Sequence, residues 1–241
     1  MNLIADIGNT LIKTAVFSGD EIIYEAQMEM SDIAAIDNLV KAFPVRKGIV
    51  SSVVSDIEEY FNKLKEELDF FLIPDASTPL PIRNNYHSPE TLGFDRLAAA
   101  VGAHTIFPHA NILVIDAGTA ITIDMVTEEG EFNGGNISPG ADIRFKALHD
   151  FTSRLPLVEK NGNIDLMGKT TEEAIRFGVW NGIFFELDGY ITAYKQQYKD
   201  LKVILTGGDH KHFEKKLKNF IFVDSNLNLK GLNKILQYNA K

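Results

Sequence analysis

The chain has no cysteine among its 241 residues. That excludes a disulfide framework and thiolate chemistry. A basic excess is missing too: 24 Lys and Arg stand against 33 Asp and Glu, for a formal net charge of −9. Nucleic acid and anionic membrane surfaces usually demand a basic face, so neither is expected as a partner. An anionic small ligand stays open, because a local cluster can override the global sign. No apolar run nears the roughly 20 residues that span a bilayer. The N-terminus enters a strand by Leu3 without a basic leader, which predicts no signal peptide and a cytoplasmic protein. Low-complexity segments are also absent. Apolar residues are plentiful: 45% of the chain is hydrophobic, enough for one large domain or two small ones.

The strongest pattern lies at the start. Leu3 to Val16 reads as a strand, a tight turn at Gly8-Asn9 and a returning strand. Gly and Asn tolerate the positive φ that a two-residue hairpin turn requires. Asp6, Asn9, Thr10 and Lys13 are the polar groups near its tip. Successive N–H groups in such a turn form a concavity for an anion, to which Thr10 and Lys13 add donors. The same design returns in the second half. Leu113 to Asp124 aligns without gaps, Asp116 on Asp6, Gly118 on Gly8 and Thr119 on Asn9. One Asp-x-Gly turn is merely a hairpin; two at matching places suggest a duplication. If the halves face each other, both acidic turns share a cleft. Carboxylate beside phosphate costs about 4 kcal/mol per charge pair at 4 Å and an effective dielectric of 20. A cation must then intervene, and the simplest ligand is Mg-ATP.

The rest of the chain repeats an order of elements. After the first hairpin comes a strand at Glu21–Ala26, then a helix capped at Ser31-Asp32 and ended by Pro44. A buried strand, Gly48–Val54, leads to a second helix capped at Ser55-Asp56 with apolar positions Ile57, Tyr60, Phe61, Leu64 and Leu68. Phe70–Ile73 is a short strand. Residues 76 to 90 form the one long irregular stretch, and a helix is predicted to begin near Pro89 and to bridge the halves. The second half gives three strands, a helix from Ala141, a loop, and a long helix over Thr171–Tyr198. A strand at Lys202–Leu205, a helix over His210–Leu217, a strand at Phe220–Val223 and a helix over Leu227–Tyr238 follow. This α/β pattern, twice over, resembles duplicated ribonuclease H-like domains, expected at residues 1–108 and 109–241 with a cleft between them.

Several side chains could carry chemistry. Asp95, in Gly93-Phe94-Asp95-Arg96, lies in an otherwise apolar helical stretch where an unpaired charge at the core would be costly. It either pairs at the surface or lines a cleft, where it could accept a proton from a substrate hydroxyl during phosphoryl transfer. Arg96 offers a bidentate fork for carboxylate or phosphate. Gly134–Gly140 and Thr206–Gly208 are glycine-rich turns after strands. At the start of the long helix, Thr170 with Glu173 reads as a capping box, leaving Thr171 as a candidate for a cap or an anion ligand. Asp209-His-Lys-His212 reads as a solvated helix start rather than a metal site.

Taken together these motifs resemble the type III pantothenate kinase family, within the superfamily of sugar kinases, actin and heat-shock chaperone ATPases. Asp6-x-Gly-Asn-Thr-x-x-Lys13 and Asp116-x-Gly-Thr119 match its two phosphate motifs. Pro81–Tyr86 with Gly93-x-Asp-Arg96, Gly134–Gly140 and Gly168–Ile175 match further segments, in order and spacing. The resemblance implies ATP-dependent phosphorylation of pantothenate to 4′-phosphopantothenate, the first step of coenzyme A synthesis. It implies Asp95 as proton acceptor, and Tyr86, Gly93, Phe94, Asp95, Arg96 and Thr171 as the pantothenate site. ATP would be held by Asp6, Ile7, Gly8, Asn9, Thr10, Leu11, Ile12, Lys13 and Thr119. Asp116 would hold a monovalent cation, potassium or ammonium; Asp6 would hold magnesium, directly or through water. A homodimer is implied as well. The alternatives are a kinase of another small hydroxylated substrate, and a nucleotide-dependent regulatory protein of the same fold without turnover.

Overall fold

The first strand is apolar on both faces, and that decides where it lies. The computed structural model describes residues 1–8, 11–52, 61–213, 216–217, 219 and 221–240, without the side chain of Lys63. Strand β1 (Asn2–Ile7) buries Leu3, Ile4, Ala5 and Ile7 completely. A strand buried on both sides belongs in the middle of a covered sheet. It does: β1 pairs antiparallel with β2 (Leu11–Ser18), which pairs antiparallel with β3 (Glu21–Glu29). On its other side β1 runs parallel to β4 (Lys47–Ser52), and β4 to β5 (Phe70–Leu72). The order is β3-β2-β1-β4-β5.

Two compact units make up the chain: residues 1–109, 126–134 and 226–241, and residues 110–125 and 135–225. In the first, helices α1 (Ala35–Ala42) and α2 (Asn62–Glu67) connect the parallel strands and close one core over Leu3, Ala5, Ile7, Ile12 and Val50. Helix α3 (Phe94–Ile106) and the last helix, α7 (Leu227–Asn239), pack on each other in this same unit. Their approach depends on glycine: a Cβ on Gly102 would collide with the Leu227 carbonyl, and one on Gly231 with that of Ala98. Polar ties anchor α7. The Asn2 side-chain amide donates to Asn233 at 2.8 Å, and Asn233 donates to the Gly19 carbonyl at 2.9 Å.

The second unit repeats the scheme. Strands β7 (Ile112–Ala117), β8 (Ala120–Val126) and β9 (Glu131–Pro139) precede α4 (Ala141–Asp150) and α5 (Thr171–Gln197). Then come β10 (Lys202–Thr206), the one-turn α6 (His210–Phe213) and β11 (Phe222–Val223). β7 runs parallel to β10, and β10 to β11. The sheet order is β11-β10-β7-β8-β9 and then a short edge strand, the first five repeating the earlier order. β6 (Arg83–Asn84) joins β9 through Arg83↔Glu131 and Asn84↔Phe132, all residues of the first unit. Trp180, Ile183, Leu187 and Leu205 are fully buried in the second unit's core.

Several expected boundaries move. The first helix is not capped at Ser31-Asp32: residues 30–32 form a 3-10 turn, and α1 starts after Ala34 without a side-chain cap. Pro89 opens another 3-10 turn, and α3 begins only at Phe94, after Gly93. The irregular stretch contains β6. The caps Ser55-Asp56, with Ile57 and Tyr60, fall outside the described residues, as do Val53, Val54 and Phe220.

Candidate active site

In the first unit, Asp6 stands directly opposite Lys13 across β1 and β2, and opposite Ser51 on β4. Directly opposed residues of an antiparallel pair project to the same face, so the carboxylate and the ammonium share one. Gly8 N–H donates to the Leu11 carbonyl at 3.1 Å, closing the hairpin across positions 9 and 10. Asn9 and Thr10 themselves lie outside the described residues. Gly8 itself takes no positive φ. Ile7 and Ile12 are buried in the core, so only their backbone is available to a ligand. Leu11 is exposed. Lys13 also lines a cavity of about 180 Å³ with Thr14, Glu25, Gln27, Asn226 and Leu229. There the Asn226 amide donates to the Glu25 carboxylate.

The second cluster of the first unit forms where α3 starts. Asp95 is half-buried in the first turn, and its Oδ1 accepts the Arg96 backbone N–H at 2.9 Å. A Cβ on Gly93 would collide with that same oxygen, so glycine leaves the carboxylate its room. Arg96 is only 5% exposed. Its guanidinium carbon lies 5.5 Å from the Tyr86 ring centroid and 5.8 Å from that of Phe132. Tyr86 N–H donates to the Asn84 side-chain oxygen at 3.0 Å, which fixes the bend after β6. Phe94 is half-buried beside them in sequence.

In the second unit, Asp116 is the register partner of Thr206. Gly118 N–H donates to the Ala120 carbonyl at 3.0 Å, and exposed Thr119 accepts Gly140 N–H at 3.0 Å through its carbonyl. Two glycine turns press on this tip. A Cβ on Gly140 would collide with the Gly118 carbonyl, and one on Gly207, at φ +95°, with the Ala117 backbone. Asp209 N–H also donates to Ala117. Lys160 then reaches Asp142 at 2.8 Å and Asp209 at 3.2 Å. Burial works against its charge, but the two carboxylates win and hold its pKa above the usual lysine value. Thr170 caps α5: its Oγ1 accepts Glu173 N–H at 3.2 Å, and Glu173 accepts Thr170 N–H in return. Thr171 is left exposed as the first helical residue.

Sequence reasoning did not single out Phe132 or Lys160, and it read Asp209 only as part of a solvated helix start. Nothing local marks them, because each gains its meaning from a partner distant in sequence. The Asp209–His212 segment is also not simply solvated. Asp209 is buried, and the His212 ring stacks on Trp180 with centroids 4.3 Å apart.

The repeated strand order, with an Asp-x-Gly hairpin on each central strand, defines the class: an α/β protein with a ribonuclease H-like fold in duplicate. A ROK hexokinase from Thermus thermophilus shares the fold at TM-score 0.53 and 13% identity, covering 99% of both chains. A conserved Campylobacter jejuni protein described as a Baf family transcriptional activator shares it at TM-score 0.65 and 23% identity, covering 99% of this chain and 98% of that one. The profile of the type III pantothenate kinase family matches residues 2–193, and the chain belongs to that family. A Bacteroides fragilis relative named type III pantothenate kinase is 51% identical over 246 residues, 99% of this chain and 98% of the relative.

Proposed function

We propose that this chain transfers the γ-phosphoryl group of ATP to the primary hydroxyl of pantothenate, yielding 4′-phosphopantothenate for coenzyme A synthesis. The observation that carries it is the half-buried Asp95 beside the ring-flanked Arg96, in a chain of this family. Asp95 orients the hydroxyl and accepts its proton. Arg96, with Tyr86, Gly93, Phe94 and Thr171, holds the rest of the substrate, its fork suited to the carboxylate. Asp6 to Lys13 and Thr119 hold the nucleotide. Lys13 offsets charge on the transferring group, where positioning and electrostatics supply most of the catalysis.

Asp6 would bind magnesium and Asp116 a monovalent cation. Among the described residues no three His, Asp or Glu side chains gather into a metal cage. That donor set fits magnesium, which keeps several waters and uses one or two carboxylates plus substrate phosphates. When bound, it neutralises charge on the phosphates. Residues 1–108 and 109–241 are proposed as the two copies of a duplication. A homodimer is supported by the exposed Phe185 on α5 and by Leu166 and Met167 before it. Among the described residues no helix is long and apolar enough to cross a membrane, in keeping with a cytoplasmic enzyme.

The test is ATP plus pantothenate, with and without potassium, followed by mass detection of the product. Asp95→Asn should retain ATP binding while turnover falls about a hundredfold or more. Undiminished turnover removes Asp95 from the mechanism.

A further inference from the structure

Residues 151–170 form no regular helix or strand, yet one of them holds three elements of the second unit together. Lys160 does so with its side chain and its backbone. Its ammonium donates to Asp142 on α4 at 2.8 Å and to Asp209, just past β10, at 3.2 Å. Its carbonyl accepts the Trp180 indole N–H from α5 at 2.9 Å. The Trp180 ring in turn carries the His212 ring, stacked with centroids 4.3 Å apart. The turn that leaves β10 is thereby pinned on both sides. Gly207 rests on the Ala117 backbone, and Asp209 N–H donates to the Ala117 carbonyl at 3.0 Å. Both are buried, while Gly208 between them is exposed. Among the described residues, nothing would stand within 4 Å of a Cβ on Gly208. A bare stretch of backbone held so firmly at a strand end suits close approach by a ligand.

We propose that Lys160 is a positioning residue for the nucleotide: through Asp209 it keeps the Gly207–Gly208 turn and the Asp116–Thr119 hairpin in one fixed arrangement. This deepens the kinase reading and rests on it. Two of the three ammonium donors are on carboxylates, so Lys160 acts through the backbone it anchors and not as a phosphate ligand. A residue that merely stabilises the unit changes how much enzyme is folded and leaves the KM of either substrate alone. One that sets the turn changes the KM for ATP and spares that for pantothenate.

The experiment measures the KM for ATP and for pantothenate separately on the full chain. Lys160→Met should raise the KM for ATP about tenfold, with the KM for pantothenate within about twofold of wild type. Lys160→Arg, whose fork can still bridge both carboxylates, should restore most of the loss. Adding Asp209→Asn to Lys160→Met should raise the KM for ATP no further, since both changes cut the same tie. Mg-ATP binding without pantothenate, followed by ligand-observed NMR, should weaken by the same factor. An unchanged KM for ATP, equal rises for both substrates, or no rescue by arginine overturns the proposal. If Lys160→Met fails to fold, Asp209→Asn alone must show the same selective rise. A wild-type chain that binds Mg-ATP but leaves pantothenate unphosphorylated overturns the proposed function, and the binding measurement then decides this inference by itself. A wild-type chain that binds no Mg-ATP overturns both.

Discussion

The hairpins at Asp6 and Asp116 share a sequence pattern and are supported in different ways. Around the first tip, among the described residues, a Cβ on Gly8 would stand 3.3 Å from the Leu11 carbonyl. Its acidic side chain has a cross-strand lysine partner, Lys13. The second tip has no such lysine, since Ile123 occupies the aligned position. Instead, two glycine turns rest on its backbone, and the Lys160 strap ties Asp142 and Asp209 behind them. Equal motifs therefore do not imply equal tolerance of change. A hairpin shored up by backbone contacts cannot accept a methyl group on the glycines that press on it.

The comparison breaks most visibly at glycine. Gly207→Ala combines a positive φ with a collision against backbone that cannot swing away, and should cost about 3 kcal/mol or more in denaturant unfolding. Gly118→Ala, whose nearest neighbour would lie 3.8 Å off, should cost under about 1 kcal/mol. Similar losses for the two would show that the second tip is not held by its glycine neighbours.

Lys160→Met comes next. It strips the buried Asp209 of its cation, and should destabilise by about 1–2 kcal/mol, less than a fully buried pair because Lys160 remains partly exposed. Addition of Asp209→Asn should recover part of that loss in the same unfolding assay; no recovery would mean that Lys160 acts through packing alone.

The smallest effect concerns pH and the first unit. Burial, helped by the positive charge of His109, lowers the pKa of His104, whose Nδ1 has no hydrogen-bond partner among the described residues. The unfolded chain then takes up the proton first, near the ordinary value of 6.5. Stability should fall as pH drops below 6.5 and level off below the folded pKa. His104→Gln should flatten this limb; an unchanged limb would assign it to other groups.

Much of the architecture could be read in advance. Continuous apolar runs at Leu3–Ala5 and Ile112–Ile115 mark central strands, and the capping box at Thr170 and Glu173 marks the start of the long helix. The start of α3 was misplaced because Pro89 signals a helical turn equally well for a 3-10 turn and an α-helix. The neighbourhood of Arg96 was half legible. Tyr86 and Arg96 belong to a recognisable motif, but Phe132 is an ordinary alternating strand residue until β6 pairs with β9.

By itself the sequence determined the duplicated hairpins, the α/β alternation and the candidate residues Asp6, Asp95, Arg96 and Asp116. Those follow from local periodicity and from residue types with limited conformational options. Only the tertiary structure decided that α7 packs on α3 in the first unit, that Gly140 and Gly207 brace the Asp116 turn, and that Phe132 flanks Arg96. Each of these is a contact between segments far apart in the chain, selected by shape and burial, and no short window of residues contains it.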